Sequence, residues 1–127
     1  MLSNTELSKR ERQIMDVIWR VGEATAVLVT QQLHDPPTHT AVRTFLRILE
    51  EKGHLEHRKE GREFVYYPTR PKQREAKSAL RRVLDVFFEG SLEKAVAAHL
   101  AEPGMKLSSE EAKRLADLIA QAKKRGV

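Results

Sequence analysis

Cysteine is absent from the 127 residues, which excludes disulfides, zinc–thiolate sites and cysteine nucleophiles and makes a reducing cytoplasm the simplest home. No stretch approaches the roughly 18 apolar residues of a membrane span, and the opening "MLSNTELSKRERQ" lacks the apolar core of a signal peptide. A cytoplasmic protein without direct membrane insertion is therefore expected. Phosphate loops, nucleophile motifs and metal-ligand clusters are missing as well, so neither an enzyme nor a cofactor or metal site is expected. Repeats and low-complexity segments do not occur. The length suits one domain, or a small domain with an appendage, and is too short for a large catalytic scaffold.

What is present is charge. Lys and Arg number 23 against 18 Asp and Glu, for a formal charge of +5 and a pI near 9.7, which suits a polyanionic partner. Residues 1–70 carry 11 basic and 10 acidic side chains, and residues 71–127 carry 12 and 8. Nucleic-acid binding by the N-terminal part has to come from local placement of its cations.

Three helices are expected first. Ser8 and Glu11 have capping-box spacing; Ile14, Val17, Ile18 and Val21 recur at helical spacing until Gly22. Thr25 can cap a shorter helix, "AVLVTQQL", whose Val27, Leu28 and Leu33 supply apolar contacts before "HDPPTH" breaks it. Thr38 is a plausible N-cap for the third helix, which ends at Gly53. In "HTAVRTFLRILEEKGHL", Val42, Phe45, Leu46 and Leu49 fall in one apolar sector at about 100° per residue. Thr40, Arg43, Thr44 and Arg47 occupy the other side. Short hydroxyls and guanidiniums in the first turns suit a DNA major groove, where Arg bonds a guanine edge and Thr meets a thymine methyl or a phosphate. A merely solvated face is the alternative.

Beyond Gly53 the period becomes alternating. "HLEHRKEGREFVYYPT" reads as two strands, His54 to Arg58 and Glu63 to Pro68, around a turn at Glu60-Gly61, with Arg58, Lys59 and Arg62 near its tip. Alternation puts Phe64 and Tyr66 on one face, and with Trp19 they read as core; base stacking is the other use of such aromatics. His54 and His57 have a tempting interval for a metal, but residues three apart on a strand point to opposite faces. Helices followed by a hairpin with a basic tip are the elements of a winged helix-turn-helix.

From Pro71 only helices follow: "KQREAKSALRRVLDVFFEG", a short one from Ser91 to about Glu102, and a last one headed by Ser108 and Glu111. About 55 residues of amphipathic helix close a core poorly alone. They either pack back on the N-terminal part or pair with a second copy, and self-association is the favoured reading, through Leu80, Val83, Leu84, Phe87, Phe88, Leu115, Leu118 and Ile119. The expected fold is thus mainly α with a small β wing: a winged helix-turn-helix domain over residues 1–70 and a helical dimerisation domain over 71–127.

In its recognition helix the chain resembles the BlaI/MecI penicillinase-repressor family, through Thr40, Val42, Thr44, Leu49, Lys52, Gly53 and Leu55. The likeness extends to Trp19 in "ELSKRERQIMDVIWRVGEATA", to the "FVYYP" strand and, more loosely, to the tail. It implies a homodimeric winged-helix repressor of inverted repeats of TACA/TGTA type, with double-stranded DNA as partner. It also implies recognition by Thr40, Arg43, Thr44 and Arg47, with His39 at the head of that helix, and backbone contacts from Arg58, Lys59 and Arg62. Ala41 and Ile48 stand where many members have a second Thr and an Arg, implying different preferred bases. Members that control β-lactam resistance are cut in the tail, at an Asn-Phe pair, after a membrane sensor metalloprotease detects the antibiotic. The corresponding pair here is His99-Leu100, near a joint at Glu102 to Gly104. The copper-responsive branch uses a cysteine-rich tail, which this chain lacks. A protein-binding winged helix and a non-specific nucleic-acid coat are the rival readings.

Overall fold

Serine and threonine caps set where the helices begin. A computed structural model describes residues 6–126; residues 1–5, part of the opening read for a signal peptide, lie outside the described residues. Helix α1 (Lys9–Val21) starts from a reciprocal capping box: Ser8 Oγ accepts from the Glu11 amide, and Glu11 accepts from the Ser8 amide at 2.8 Å. Thr25 and Thr38 cap α2 (Ala26–Gln32) and α3 (His39–Glu51) by accepting from the amides of Leu28 and Ala41. Gly22 ends α1 with φ +96°, a backbone that side chains with a Cβ rarely adopt.

The hairpin pairs β1 (Leu55–Glu60) with β2 (Glu63–Pro68) in antiparallel register, Leu55 opposite Pro68 and Glu60 opposite Glu63. This corrects the expected strand and turn. The first strand starts at Leu55 and runs two residues past Arg58, and the turn is Gly61-Arg62, not Glu60-Gly61. A two-residue loop needs positive φ at its first position for type II′ geometry, and Gly61 supplies it at +63°. Ala24, between α1 and α2, adds a single bridge to Tyr66 through amide–carbonyl bonds of 2.9 and 2.8 Å.

The core lies where α1, α2 and α3 meet the base of the hairpin. Ile14, Ile18, Val29, Val42, Leu46 and Leu49 are fully buried there, and Leu55 and Tyr66 close it from the strands. Two expectations are corrected. Val29, not Val27, is the buried valine of α2, because the seven-residue helix turns that position toward α1 and α3 while Val27 stays exposed. Phe64 is exposed although Tyr66 on the same face is buried: the core covers only the base of the hairpin. Trp19 is half-buried and packs against the core edge.

Glu11 is the buried charged residue among the described ones, 4% exposed. It pairs with Lys52 at 2.9 Å, and Lys52 also donates to the Glu6 carbonyl. This clamp ties the start of α1 to the end of α3. Burial raises the Glu11 pKa, but the Lys52 ammonium and the Ser8 amide outweigh it and hold the carboxyl below the ordinary glutamate range.

Helices α4 (Lys72–Phe87), α5 (Leu92–Leu100) and α6 (Ser109–Arg125) complete the chain, and compact units divide between Lys77 and Ser78, inside α4. α5 stops at Leu100, two residues before the expected end, where the Ala101 amide bonds back to Ala97. The fold is mainly helical with a small β wing.

Candidate nucleic-acid interface

Because Val42, Leu46 and Leu49 turn inward, the positions between them must turn out. His39, Thr40, Arg43, Thr44 and Arg47 are all exposed and line one side of a concave groove of about 670 Å³. Its other walls are Thr25, Ala26 and Val27 at the start of α2, and His57, Arg62, Glu63, Phe64 and Tyr66 of the hairpin. All five expected recognition-helix residues therefore share one surface with the wing-tip cation Arg62. Thr44 Oγ1 donates to the Thr40 carbonyl at 3.2 Å, which fixes its rotamer along the helix. Among the described residues, no carboxylate forms an ion pair with Arg43, Arg47 or Arg62. Their charge is available to a ligand.

The other two wing cations differ. Lys59 stands opposite Phe64 in the register, so it shares the face that carries His57 and Tyr66. Arg58 is on the reverse face, opposite the buried Val65, where it is paired with Glu23 before α2 and with Glu60. The hydrogen bonds it donates to Glu60 and then to Glu23 push its guanidinium pKa further up. Of the three expected wing cations only Arg62 lines the groove; neither Lys59 nor Arg58 does.

Several groove residues escaped the sequence reading. Glu50 accepts from His57 Nδ1, with its two oxygens at 2.7 and 2.9 Å. His57 stacks on Phe64 with ring centroids 4.2 Å apart. The register, with His57 opposite Tyr66, is a signal that could have placed the histidine on this face. Glu50, seven residues after Arg43, could be found by extending the recognition stripe one turn. Burial and then Glu50 push the Tyr66 phenol pKa up, while Arg43 and Arg47 pull it down, so the field of α3 reaches the hairpin.

The family model for the penicillinase repressor matches residues 7–121. The chain belongs to the penicillinase repressor family. It is 30% identical over 122 residues to the penicillinase repressor of Bacillus licheniformis, which covers 94% of each chain. The solution structure of the DNA-binding domain of the repressor BlaI is 33% identical, covering 53% of this chain and 84% of that one, with a TM-score of 0.49. A structure of reduced AbfR bound to DNA is 13% identical over 76% of this chain and 75% of its own, with a TM-score of 0.53, a likeness of fold.

In this family member the tail helices bury no described residue. Leu80, Val83, Phe87, Leu115, Leu118 and Ile119 are exposed, Phe87 at 68%, and Leu84 and Phe88 are half-buried. His99 and Leu100 are exposed at the end of α5, just before the turn at 101–104. Among the described residues there is no group of acids and histidines arranged to hold a metal, and no helix is long and apolar enough to cross a membrane.

Proposed function

We propose that this chain is a sequence-specific DNA-binding transcriptional repressor that acts as a homodimer on inverted-repeat operators. The observation that carries the reading is the groove itself: Arg43, Arg47 and Arg62, without carboxylate partners, converge with Thr40 and Thr44 on one exposed surface. In the mechanism, α3 enters the major groove, Arg43 takes a guanine edge in bidentate fashion, and Thr40 and Thr44 meet methyl groups or phosphates. Arg47, Arg62 and Lys59 supply phosphate contacts and the salt-dependent part of the affinity. Arg58 has to leave two carboxylates before it can meet a phosphate, so it contributes least. Bound at a promoter, the protein represses by excluding polymerase.

The exposed apolar side chains of α4 and α6 support pairing with a second copy. Fourteen large hydrophobic side chains are exposed among the described residues, eleven of them from Leu80 onward, a concentration of exposed apolar side chains that favours association. A two-fold dimer then reads half-sites about one helical turn apart. Relief of repression follows from cleavage at His99-Leu100 by a membrane sensor metalloprotease, which separates α6 from the rest. Exposure of that bond at the end of α5 supports the assignment. Incubation with the cognate sensor tests it: DNA release with the chain intact would rule proteolysis out.

Selection of sites from a random duplex library at near-physiological salt tests the main reading. An enriched inverted repeat is the expected result. Binding that follows salt but not sequence would make the protein a non-specific coat, and no binding at all would direct the search to a protein partner.

A further inference from the structure

Among the residues lining the groove on α3, Glu50 is the acid. It lies three residues beyond Arg47 and seven beyond Arg43, so it continues their stripe toward the end of the helix. A duplex seated on this stripe would meet its carboxylate as well as the two guanidiniums, and carboxylate and phosphate repel. His57 is the group that answers it. The ring reaches across from β1, places Nδ1 within hydrogen-bond distance of both Glu50 oxygens, and is held flat against Phe64.

The geometry points to Glu50 and His57 as a positioning pair that braces the wing on the recognition helix and couples operator affinity to protonation of His57. It rests on the DNA-binding reading above. A neutral imidazole donating Nδ1–H to Glu50 leaves the pair with one negative charge; an imidazolium leaves it with none. The phosphates favour the second form, so binding DNA takes up a proton. Both side chains are about one-third exposed, 31% for His57 and 33% for Glu50, so water and buffer reach the pair in the free protein. Histidine is the residue whose charge changes in the physiological range.

The surrounding charges act in the same direction once DNA is present. From α3, Arg43 and Arg47 oppose a further positive charge beside them, and so do Arg62 at the turn and Lys59 on the histidine's own strand. Bound phosphates neutralise these cations and lift that opposition. Glu63 and the neutral Tyr66 phenol on β2 do not oppose the proton. His39, at the other end of α3, is the second imidazole in the groove, so only a substitution at 57 attributes a proton to this pair.

Affinity of the full chain for its selected operator duplex is measured at pH 6 and pH 8, with proton uptake read by calorimetry in buffers of different ionisation enthalpy. One linked proton allows at most about tenfold per pH unit, and wild type is expected to bind about three- to tenfold more tightly at pH 6 than at pH 8. Glu50→Gln keeps an acceptor for Nδ1–H and removes the charge: its affinity at pH 8 should rise to the wild-type pH 6 level. His57→Gln should flatten the profile at the weaker level and abolish most of the proton uptake, with helicity by circular dichroism confirming the fold of each variant. A flat wild-type profile, or unchanged proton uptake in His57→Gln, would overturn the inference. Absence of any sequence-preferring duplex binding by wild type would instead overturn the repressor reading on which it rests.

Discussion

Lys52→Met tests the clamp that fixes α3 from behind. Glu11 is buried, with a side chain 5% exposed, and its carboxylate has two partners, the Ser8 amide and the Lys52 ammonium. Methionine preserves the length of the lysine and removes its charge, which leaves a buried carboxylate with one hydrogen bond. Removing one partner of a buried pair costs about 3–5 kcal/mol. For a unit of this size that lowers the melting temperature by roughly 12–40 °C. Glu11→Gln, which keeps an oxygen for the Ser8 amide while Lys52 retains the Glu6 carbonyl, should cost less, about 1–2 kcal/mol. The pH dependence is the sharper test. In wild type the Glu11 carboxyl is held below the ordinary value of about 4.3, so its stabilisation is present above that value and is lost as pH falls through the lowered one. Without Lys52 the ammonium no longer offsets burial, so the carboxyl titrates higher than in wild type and the stabilisation that its ionised form supplies at neutral pH is reduced. The deficit of Lys52→Met should be largest at pH 7 and should shrink toward pH 4. Urea unfolding followed by the fluorescence of Trp19, the single tryptophan, reports on this unit. A deficit under about 1 kcal/mol at pH 7, or one of equal size at both pH values, refutes the reasoning.

Other outcomes follow from the groove and the tail. Arg43→Ala should weaken binding to the best operator by about 1–3 kcal/mol and flatten its base preference; equal loss on random duplexes, in the same titration, counts against a base contact. Arg62→Ala should lower the salt slope of binding by about one unit, whereas Arg58→Ala should leave that slope nearly unchanged because its guanidinium is already held by Glu23 and Glu60. Phe87→Asp combined with Leu118→Asp should convert a dimer to monomer in sedimentation equilibrium and weaken operator binding, and a dimer that survives both would move the interface elsewhere. Gly61→Ala should cost about 1–2 kcal/mol in thermal unfolding through positive φ alone, since a Cβ there meets nothing within 4 Å.

Features that depend on neighbours in sequence were legible, and features that depend on distant partners were not. Ser8, Thr25, Thr38 and Ser108 could be read as caps because each bonds an amide three residues away. The inward stripe of Val42, Leu46 and Leu49 could be read because thirteen helical residues define a face well. Seven residues of α2 do not, and Val27 and Val29 changed places for that reason. Alternation correctly put Phe64 and Tyr66 on one face, but nothing local tells how far along that face the core extends. The ion pairs lie furthest from view. Glu11 meets Lys52 across 41 positions and Arg58 meets Glu23 across 35, so only the packing of α1 on α3 and of the hairpin beside the α1–α2 turn creates them. The outward face of α3 was legible because it is what the core leaves over. Which of its cations are free to meet a phosphate was not legible, since that depends on carboxylates delivered from other elements. Arg58 and Arg62 look alike in "RKEGR", yet only the fold separates a cation already held by two acids from one that stands open in the groove.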